Sequence, residues 1–456
     1  MQTIDFFDPA LLNKYNLNGP RYTSYPTALE FNESINDTNL INAAQTSPNG
    51  ELSLYVHIPF CHSLCYYCGC NKIITRHTEK ADRYLDYLAK EIVRRAPTFN
   101  HYRVQQLHLG GGSPSFLSTK QHTRLMAILR AAFQFTDNVQ CSIEIDPRRV
   151  DPDYLSSLAS IGYRRLSIGV QDIDYNVQQA INRIQSTQHI ADLVEHARQV
   201  GFESVNLDLI YGLPHQTEDT FKTTLAAVKA MDPERVSLFS YAHLPDRFAA
   251  QRKIKDAWLP SPQTKLALMK QATQSLQEAG YQLIGIDHFA KANDELAIAQ
   301  RHGALHRNFQ GYTTRGDLDL LGLGVSSISA VHNIYGQNPK TLNEYYAAID
   351  AQSSVICKGV LLSQDDMLRR DVIMQLMCNL NVAICDIESL WQINFNEYFA
   401  AAIDSLGPFI DDALVSVTTQ HIKVVPRARL LLRTICMAFD AYLGKQLHRQ
   451  RYSRVI

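Results

Sequence analysis

Three closely spaced cysteines constrain this chain more than any other feature. Cys61, Cys65 and Cys68 follow a C-x3-C-x2-C pattern, and a further cysteine, Cys70, stands two residues on. Iron–sulfur cubes are normally bound by four thiolates, so a set of three leaves one iron open. An open metal position is where a substrate or cofactor binds and reacts at catalytic metal sites. The spacing therefore predicts a cubane cluster with a reactive iron.

A structural zinc site is the alternative for the same cysteines. Such sites usually draw a second pair of ligands from further along the chain. His57 and His62 could complete a zinc-binding set here. The other cysteines stand singly in apolar stretches, and we interpret them as small core residues: Cys141, Cys357, Cys378, Cys385 and Cys436.

Composition narrows the classes of function. Hydrophobic residues make up 45% and charged residues 20% of the 456 positions, which is typical of a globular protein with a large core. A formal net charge of -1 gives no basic field for nucleic acid. We find no apolar run long enough to cross a bilayer and no secretory signal. The odd count of nine cysteines then indicates a reducing compartment, so we expect a cytoplasmic protein that binds neither nucleic acid nor membrane.

From about residue 50 to 245, short apolar strands alternate with amphipathic helices. Leu85, Leu88 and Ile92 recur at helical spacing, and Asp151 and Thr217 are good helix N-caps. Six β-α units in series predict a parallel sheet with helices outside. Six are too few for a closed eight-stranded barrel, so we expect an α/β fold with a partial (β/α)6 barrel. The predicted strands cover residues 52–60, 104–109, 140–145, 165–170, 204–210 and 236–241.

Polar motifs follow the carboxyl end of every predicted strand. That edge is where parallel α/β proteins bind ligands, so we expect these residues to lie together. In chain order they are the cysteine string, residues 110–114, Glu144 with Asp146, Gln171 with Asp172, Asp208 with residues 211–214, and residues 241–245.

The chain divides into three predicted regions. Residues 1–49 form an N-terminal segment, residues 50–330 the catalytic domain and residues 340–456 a mostly helical C-terminal domain. Within the last, residues 414–417 and 422–425 predict a hairpin that would complete a winged-helix shape. The basic tail is predicted to be a solvated surface and contains Lys445, Arg449, Arg451 and Arg454.

The strand-end residues suit a cofactor that reacts at an open iron. S-adenosylmethionine has an amino and a carboxylate group that could bind such an iron, and one electron can break its sulfonium C–S bond. Residues 110–112 are all glycine and could bring backbone carbonyls close to it. Glu144 could accept from a ribose hydroxyl, and Tyr55 or Tyr67 could stack on a ring. The alternatives are that the glycines form a tight turn, that Glu144 makes a surface salt bridge and that both tyrosines are core aromatics.

Residues 50–330 resemble radical S-adenosylmethionine enzymes. Within that superfamily the closer resemblance is to the oxygen-independent coproporphyrinogen III oxidases, and it runs nearly end to end. The three-cysteine spacing marks only the superfamily, whereas Cys70 and the N-terminal segment are far more specific. The resemblance depends on residues 19–27, 61–70, 108–114, 169–172, 208–214 and 306–312.

The resemblance implies a 4Fe–4S cluster on Cys61, Cys65 and Cys68 and two S-adenosylmethionine molecules. Many relatives have threonine where this chain has Ser113, which keeps the hydroxyl, and Cys70 is not expected to be a ligand. The cluster-bound molecule would contact Tyr55, Gly111, Glu144 and Ile328. The second would contact Tyr67, Gly112, Ser113, Gln171, Arg183, Asp208 and Ala242.

The implied reaction is oxidative decarboxylation of two propionates of coproporphyrinogen III to vinyls, giving protoporphyrinogen IX in haem biosynthesis. A 5′-deoxyadenosyl radical would abstract a propionate β-hydrogen, and no catalytic residue is assigned beyond the cluster and cofactor ligands. A reductant such as flavodoxin or ferredoxin and a monomeric chain are expected. Because the substrate carries four carboxylates, cationic side chains should bind it. The candidates are Arg21, Arg247, Arg307 and Arg315.

Two other functions are weighed against this one. A haem chaperone shares the radical fold, but such relatives lack the Cys70 position and the 19–27 segment, both present here. A zinc-binding interaction protein is the second.

Because Arg21, Tyr22 and Tyr25 lie outside the β-α core, we expect their segment to cover the barrel mouth and help enclose the tetrapyrrole. The alternative is packing against the outside of the barrel.

Overall fold

The computed structural model describes residues 6–15, 17–316 and 318–443. The chain forms two compact units. The barrel unit contains Asn32–Ala279 and Asp317–Leu361, and the terminal unit contains Met1–Phe31, Gly280–Gly316 and Leu362–Ile456. The predicted boundaries near residues 49 and 340 stay predictions.

The barrel unit is built on parallel strands that confirm the predicted α/β fold. All six predicted strands are present, and each pairs in parallel with the next. Their interiors are mostly apolar and buried, as expected for a sheet covered by helices. The strands are β1 Glu51–Ile58, β2 Arg103–Gly111, β3 Gln134–Ile145, β4 Arg165–Gln171, β5 Ser204–Tyr211 and β6 Arg235–Ser240.

Four further strands extend the sheet beyond β1, and sequence analysis did not predict them. The first pairs in parallel with β1, and the others follow in antiparallel order. The described strands leave the sheet open, as a partial barrel requires. They are β7 Asp319–Leu323, β8 Ile328–Val331, β9 Ile334–Gln337 and β10 Lys358–Leu361.

The helices of the barrel unit begin where the capping residues predict. Asp151 accepts a hydrogen bond from the backbone of Tyr154 at 2.8 Å, and the Thr217 hydroxyl accepts one from Thr220 at 3.2 Å. The main helices are Asp37–Thr46, Glu79–Arg95, Thr119–Ala132, Pro152–Ile161, Tyr175–Ala180, Thr187–Gln199, Glu218–Met231, Pro262–Glu278 and Leu342–Asp350.

A buried glutamate fastens one of these helices to the sheet. Glu91 accepts hydrogen bonds from the Tyr345 hydroxyl at 2.6 Å and from the Gly324 backbone at 2.7 Å. Asn338 donates a third at 2.8 Å. Since a buried carboxylate is tolerated only when it is paired, this network fixes the turn after β7.

The terminal unit combines helices with short antiparallel strands. Its strand Tyr281–Leu283 is short because the chain turns back and pairs it in antiparallel order with His288–Lys291. The predicted hairpin is confirmed, and its strands form a three-stranded sheet with Asn381–Ala383. The other elements are helices Pro9–Tyr15, Glu295–Arg301, Gln364–Asn379, Ile384–Trp391, Phe395–Tyr398, Ala400–Ser405, Gly407–Asp411 and Leu432–Cys436, and strands His306–Asn308, Gly311–Thr313, Val415–Val417 and His421–Val424.

The tyrosines of the N-terminal motif, residues 19–27, lie in the core of the terminal unit. Tyr22 and Tyr25 are 1% and 0% exposed, and their hydroxyls bond to Asp440 and to the Ala441 backbone at 2.9 and 3.0 Å. These two side chains are therefore core residues and not an open aromatic wall. Arg21, which directly precedes Tyr22, is exposed. The covering role of the segment stays a prediction.

Two expectations concern the surface. No helix within residues 6–15, 17–316 and 318–443 is long and apolar enough to cross a membrane. The basic tail with Lys445, Arg449, Arg451 and Arg454 lies outside the described residues.

Candidate functional site

The cysteine loop follows β1 and is held by backbone hydrogen bonds. Residues Phe60–Cys61 pair in parallel with Ile73–Ile74, and the Cys61 carbonyl accepts from Thr75 at 3.0 Å. The Cys65 carbonyl accepts from Cys68 at 3.3 Å. Cys65 is buried, whereas Cys61 and Cys68 are partly exposed. All three candidate ligands thus belong to one ordered loop at the carboxyl end of the sheet.

The thiols of this loop interact electrostatically. Burial and, to a smaller extent, the neighbouring Cys68 and Cys65 raise the pKa of Cys61 to about 12. A hydrogen bond with the Cys70 thiol lowers the pKa of Cys68, and Lys72 lowers it further. Among the described residues, no three His, Cys, Asp or Glu side chains converge as they would on a single metal ion. A cubane does not require that, since each thiolate binds a different iron.

Two arginines lie against Cys65. Arg183 and Arg148 each donate to its sulfur, at 3.4 and 3.5 Å. Both also pair with Asp146, at 3.3 and 2.5 Å. Burial opposes ionisation of Asp146, but the two arginines outweigh it and lower its pKa to about 2. Two guanidinium groups therefore place positive charge beside the Cys65 sulfur.

Arg183 also points toward a second group of predicted residues. It donates to the Gly169 carbonyl at 2.7 Å, while its buried Nε has no hydrogen-bond partner. A Cβ on Gly169 would lie 2.8 Å from Arg183 and 2.9 Å from the Gln171 amide, so both side chains converge there. Asp208 stands opposite Gly169 in the sheet, and Asn206 holds its carboxylate at 2.8 Å. The structure thus brings Gln171, Arg183 and Asp208 together.

A third group centres on Glu144. His108 lies 3.1 Å from its carboxylate and 2.7 Å from the Ser142 hydroxyl. The ring of Tyr55 stacks on His108 with 5.8 Å between centroids. Because the Glu144 side chain is 45% exposed, its carboxylate can accept a further donor.

The glycine run is needed for packing within the protein. Gly111 has φ +118°, and a Cβ there would lie 2.6 Å from the His57 ring. A Cβ on Gly112 would lie 2.6 Å from the Pro59 carbonyl, and one on Gly110 would lie 3.0 Å from Glu144. Protein atoms therefore already lie at these three Cβ positions, and contact between the glycine backbone and a cofactor stays a prediction.

The remaining predicted cofactor residues lie around these groups. Gln251 donates to the carbonyls of Tyr67 and Ala242, at 2.9 and 3.2 Å, and so ties them together. Ser113 is buried and its hydroxyl bonds to that of Ser115 at 2.8 Å. Ile328 begins β8, and its backbone packs on Gly322, the residue that pairs with Tyr55.

The candidate arginines are divided between the two units. Arg247 belongs to the barrel unit, where its guanidinium lies 5.7 Å from the Phe248 ring. Arg21, Arg307 and Arg315 belong to the terminal unit. Of these, Arg21 and Arg307 share an environment with Asp287.

Sequence reasoning missed several of these residues. His57 was considered only as a zinc ligand, His108 only as part of residues 108–114, and Asp146 only as a strand end. Gln251, in a short helical turn, gave no signal at all. Histidines that lie one residue before the end of β1 and three residues before the end of β2 are the signal that would have found them.

Comparison with known proteins agrees with this geometry. The Radical SAM superfamily model matches residues 55–228, and the HemN C-terminal domain model matches residues 362–431. The chain is 53% identical to the oxygen-independent coproporphyrinogen III oxidase of Escherichia coli (strain K12), over 100% of both chains. Its identity to the enzyme of that name from Pseudomonas aeruginosa is 46%, over 99% of both chains.

A solved structure gives the same result for the fold. The structure titled "Coproporphyrinogen III oxidase (HemN) from Escherichia coli is a Radical SAM enzyme" aligns with a TM-score of 0.93 at 52% identity. It covers 97% of this chain and 100% of that one. The chain belongs to the oxygen-independent coproporphyrinogen III oxidase family of radical S-adenosylmethionine enzymes.

Proposed function

We propose that this protein is an enzyme of haem biosynthesis that oxidises coproporphyrinogen III without oxygen. It converts two propionates to vinyl groups and yields protoporphyrinogen IX. The observation that carries the proposal is the cysteine loop beside Arg183, with Gln171 and Asp208 at the same end of a partial barrel. Family membership at 53% identity over the full chain supports the substrate.

The donor set fits the cofactors of this family. Cys61, Cys65 and Cys68 would hold a 4Fe–4S cluster, and the unpartnered Nε of Arg183 marks a place for a polar ligand beside it. When bound, the cluster and S-adenosylmethionine supply a one-electron cleavage whose organic radical removes hydrogen from the propionate β-carbon.

The chain's own residues orient and shield this chemistry. Arg148 and Arg183 place positive charge at the Cys65 sulfur, and Asp146 keeps both guanidinium groups aligned. The imidazole of His108 aligns the Glu144 carboxylate toward a hydroxyl or ammonium donor. Buried aromatic and aliphatic side chains around Tyr67 limit the access of water.

We assign two S-adenosylmethionine molecules to the site. The Tyr55–Glu144 group with Gly111 and Ile328 would bind the one on the cluster. The second would bind the other group, which comprises Tyr67, Gly112, Ser113, Gln171, Arg183, Asp208 and Ala242. The separate anchoring of Glu144 by His108 and of Asp208 by Asn206 supports two sites. Equilibrium dialysis with radiolabelled cofactor should give two molecules per chain, and a value of one would overturn the assignment.

Three further properties belong to this proposal. The electron donor is a small carrier such as flavodoxin or ferredoxin, the protein is a monomer and its location is cytoplasmic. All nine cysteines are free, which suits a reducing compartment. Light scattering after anaerobic size exclusion tests the oligomeric state directly.

The decisive experiment is an anaerobic assay. The reconstituted protein, coproporphyrinogen III, S-adenosylmethionine and dithionite should give protoporphyrinogen IX, measured by fluorescence after oxidation. Cys61→Ala should give none. Stoichiometric haem binding without loss of carbon dioxide would instead indicate a haem chaperone, and zinc without labile sulfide would indicate an interaction protein.

A further inference from the structure

The terminal unit contains a cluster of arginines that the cofactor site does not use. Asp287 interacts electrostatically with Arg307 and Arg21, and Arg433 interacts with all three of these groups. Burial lowers the pKa of Arg433, and repulsion by Arg21 and Arg307 lowers it further, to about 10. Arg21 and Arg307 are therefore close enough to Arg433 to disfavour its charge, and an anion between the three groups would relieve that repulsion.

The carboxylate of Asp287 is already engaged. Its ion pair is with His288, whose Nδ1 lies 2.6 Å away. Burial opposes the charge on Asp287, but His288, Arg307 and Arg21 hold its pKa below the usual value. This one carboxylate is thus shared by three arginines and a histidine, which leaves the cluster with excess positive charge.

Arg307 keeps hydrogen-bond donors without partners. Its Nε and Nη1 are shielded from solvent and make no hydrogen bond, and the same holds for the Tyr312 hydroxyl. The guanidinium lies 4.9 Å from the centre of the Tyr312 ring, which fixes its position by stacking. Buried donors are normally paired, so unmade bonds of this kind indicate a missing acceptor.

Arg21 completes the cluster on an exposed but fixed stretch of backbone. Arg433 donates to the carbonyls of Pro20 at 2.8 Å and Gly19 at 2.5 Å, immediately before it. The buried Tyr22, bonded to Asp440 at 2.9 Å, holds the backbone immediately after it. The protein therefore presents an open arginine beside two confined ones.

We infer that Arg21, Arg307 and Arg433 form a carboxylate-binding site that holds a propionate of the tetrapyrrole. This inference rests on the proposed function. Guanidinium groups bind carboxylates through two parallel hydrogen bonds, and a fixed arginine loses little entropy on binding. The substrate has four propionates and only two react, so at least two must be held while the others are converted. Asp287 keeps the arginines from separating before the substrate arrives.

The test uses oxidised coproporphyrin III, a fluorescent tetracarboxylate, as the probe for binding to the reconstituted holoenzyme. Arg21→Gln and Arg307→Gln should each weaken binding about tenfold or more, the equivalent of one charge-assisted hydrogen bond. Arg307→Lys should recover part of the loss. Arg301→Gln is the matched control, because Arg301 is an exposed arginine of the same unit that bonds to Gln282 at 3.2 Å.

The outcomes separate this inference from the proposed function. The variants should raise KM for coproporphyrinogen III while the iron and sulfide content of the protein stays at the parent values. Unchanged coproporphyrin affinity in Arg21→Gln, a substitution at an exposed position, would overturn the inference. A parent protein that neither binds coproporphyrin nor converts coproporphyrinogen III would overturn the proposed function instead.

Discussion

Arg148 and Arg183 form a natural matched pair for testing the cofactor site. Both donate to the Cys65 sulfur and both pair with Asp146. Only Arg183 also binds the Gly169 carbonyl and carries a buried Nε without a partner. Arg183→Met and Arg148→Met remove the same charge and keep the aliphatic part of the side chain. A difference in cofactor binding between the two variants therefore reports on the groups that only Arg183 offers, its Nε and its contact with Gly169.

The structure sets the size of the expected effects. Removing one partner of a buried ion pair lowers the free energy of unfolding by about 3–5 kcal/mol. Because either variant leaves Asp146 paired with the other arginine, we expect a loss near the lower value, about 3 kcal/mol, in both. Loss of a charge-assisted hydrogen bond to a ligand costs about 1.5–3 kcal/mol, which is roughly a 10- to 100-fold loss of affinity. We expect that second loss in Arg183→Met alone.

The assay measures iron and sulfide per chain, the urea midpoint and S-adenosylmethionine binding by equilibrium dialysis. Both variants should be less stable, and Arg183→Met should lose one of the two binding events. If Arg183→Met binds the cofactor as tightly as Arg148→Met does, Arg183 serves only Cys65 and the assignment of the second site is refuted.

Three other outcomes follow from single features of the barrel unit. Cys61→Ala should abolish the cluster, whereas Cys141→Ala, which removes a core thiol, should leave about four irons and four sulfides per chain. Glu91→Gln replaces one of the two carboxylate oxygens, which together accept three hydrogen bonds, with an amide NH2. It should lower stability by about 3 kcal/mol in urea unfolding, with cluster assembly as the control. Asp37 pairs with Arg95 at 2.9 Å, which lowers its pKa against the effect of burial. The ionised Asp37 therefore stabilises the fold fully above about pH 4, and this contribution is lost as the pH falls through the lowered pKa of Asp37. The difference in free energy of unfolding between the parent and Asp37→Asn should accordingly disappear in acid.

The order of the parallel strands could be predicted from the sequence because two local signals agree. Apolar runs that are covered on both sides alternate with helices that have good N-caps, such as those at Asp151 and Thr217. The carboxyl ends of such strands meet at one edge, so the gathering of Gln171 and Asp208 followed from topology alone. The extension through β7 to β10 could not be predicted, because its short strands carry glycine and polar residues.

Side-chain direction could not be predicted in the same way. The sequence shows three glycines after β2 but does not show that His57 fills the Cβ direction of Gly111. That contact depends on the register between β1 and β2, which places His57 beside Gly110. A Val at position 111 would therefore displace His57 before it reached a ligand, so Gly111→Val tests packing as well as cofactor access.

The N-terminal motif shows how one specific pattern can serve two purposes. Tyr22 and Tyr25 are core residues whose hydroxyls reach Asp440 and Ala441, so packing alone explains why tyrosines stand at these two positions. Arg21 is exposed, and packing gives no reason for a cation there. Deletion of the whole segment would remove both contributions at once, and lost activity would then follow from either cause. Substitution of Arg21 alone leaves the tyrosines buried, and for that reason it is the change that separates a substrate-binding role from a structural one.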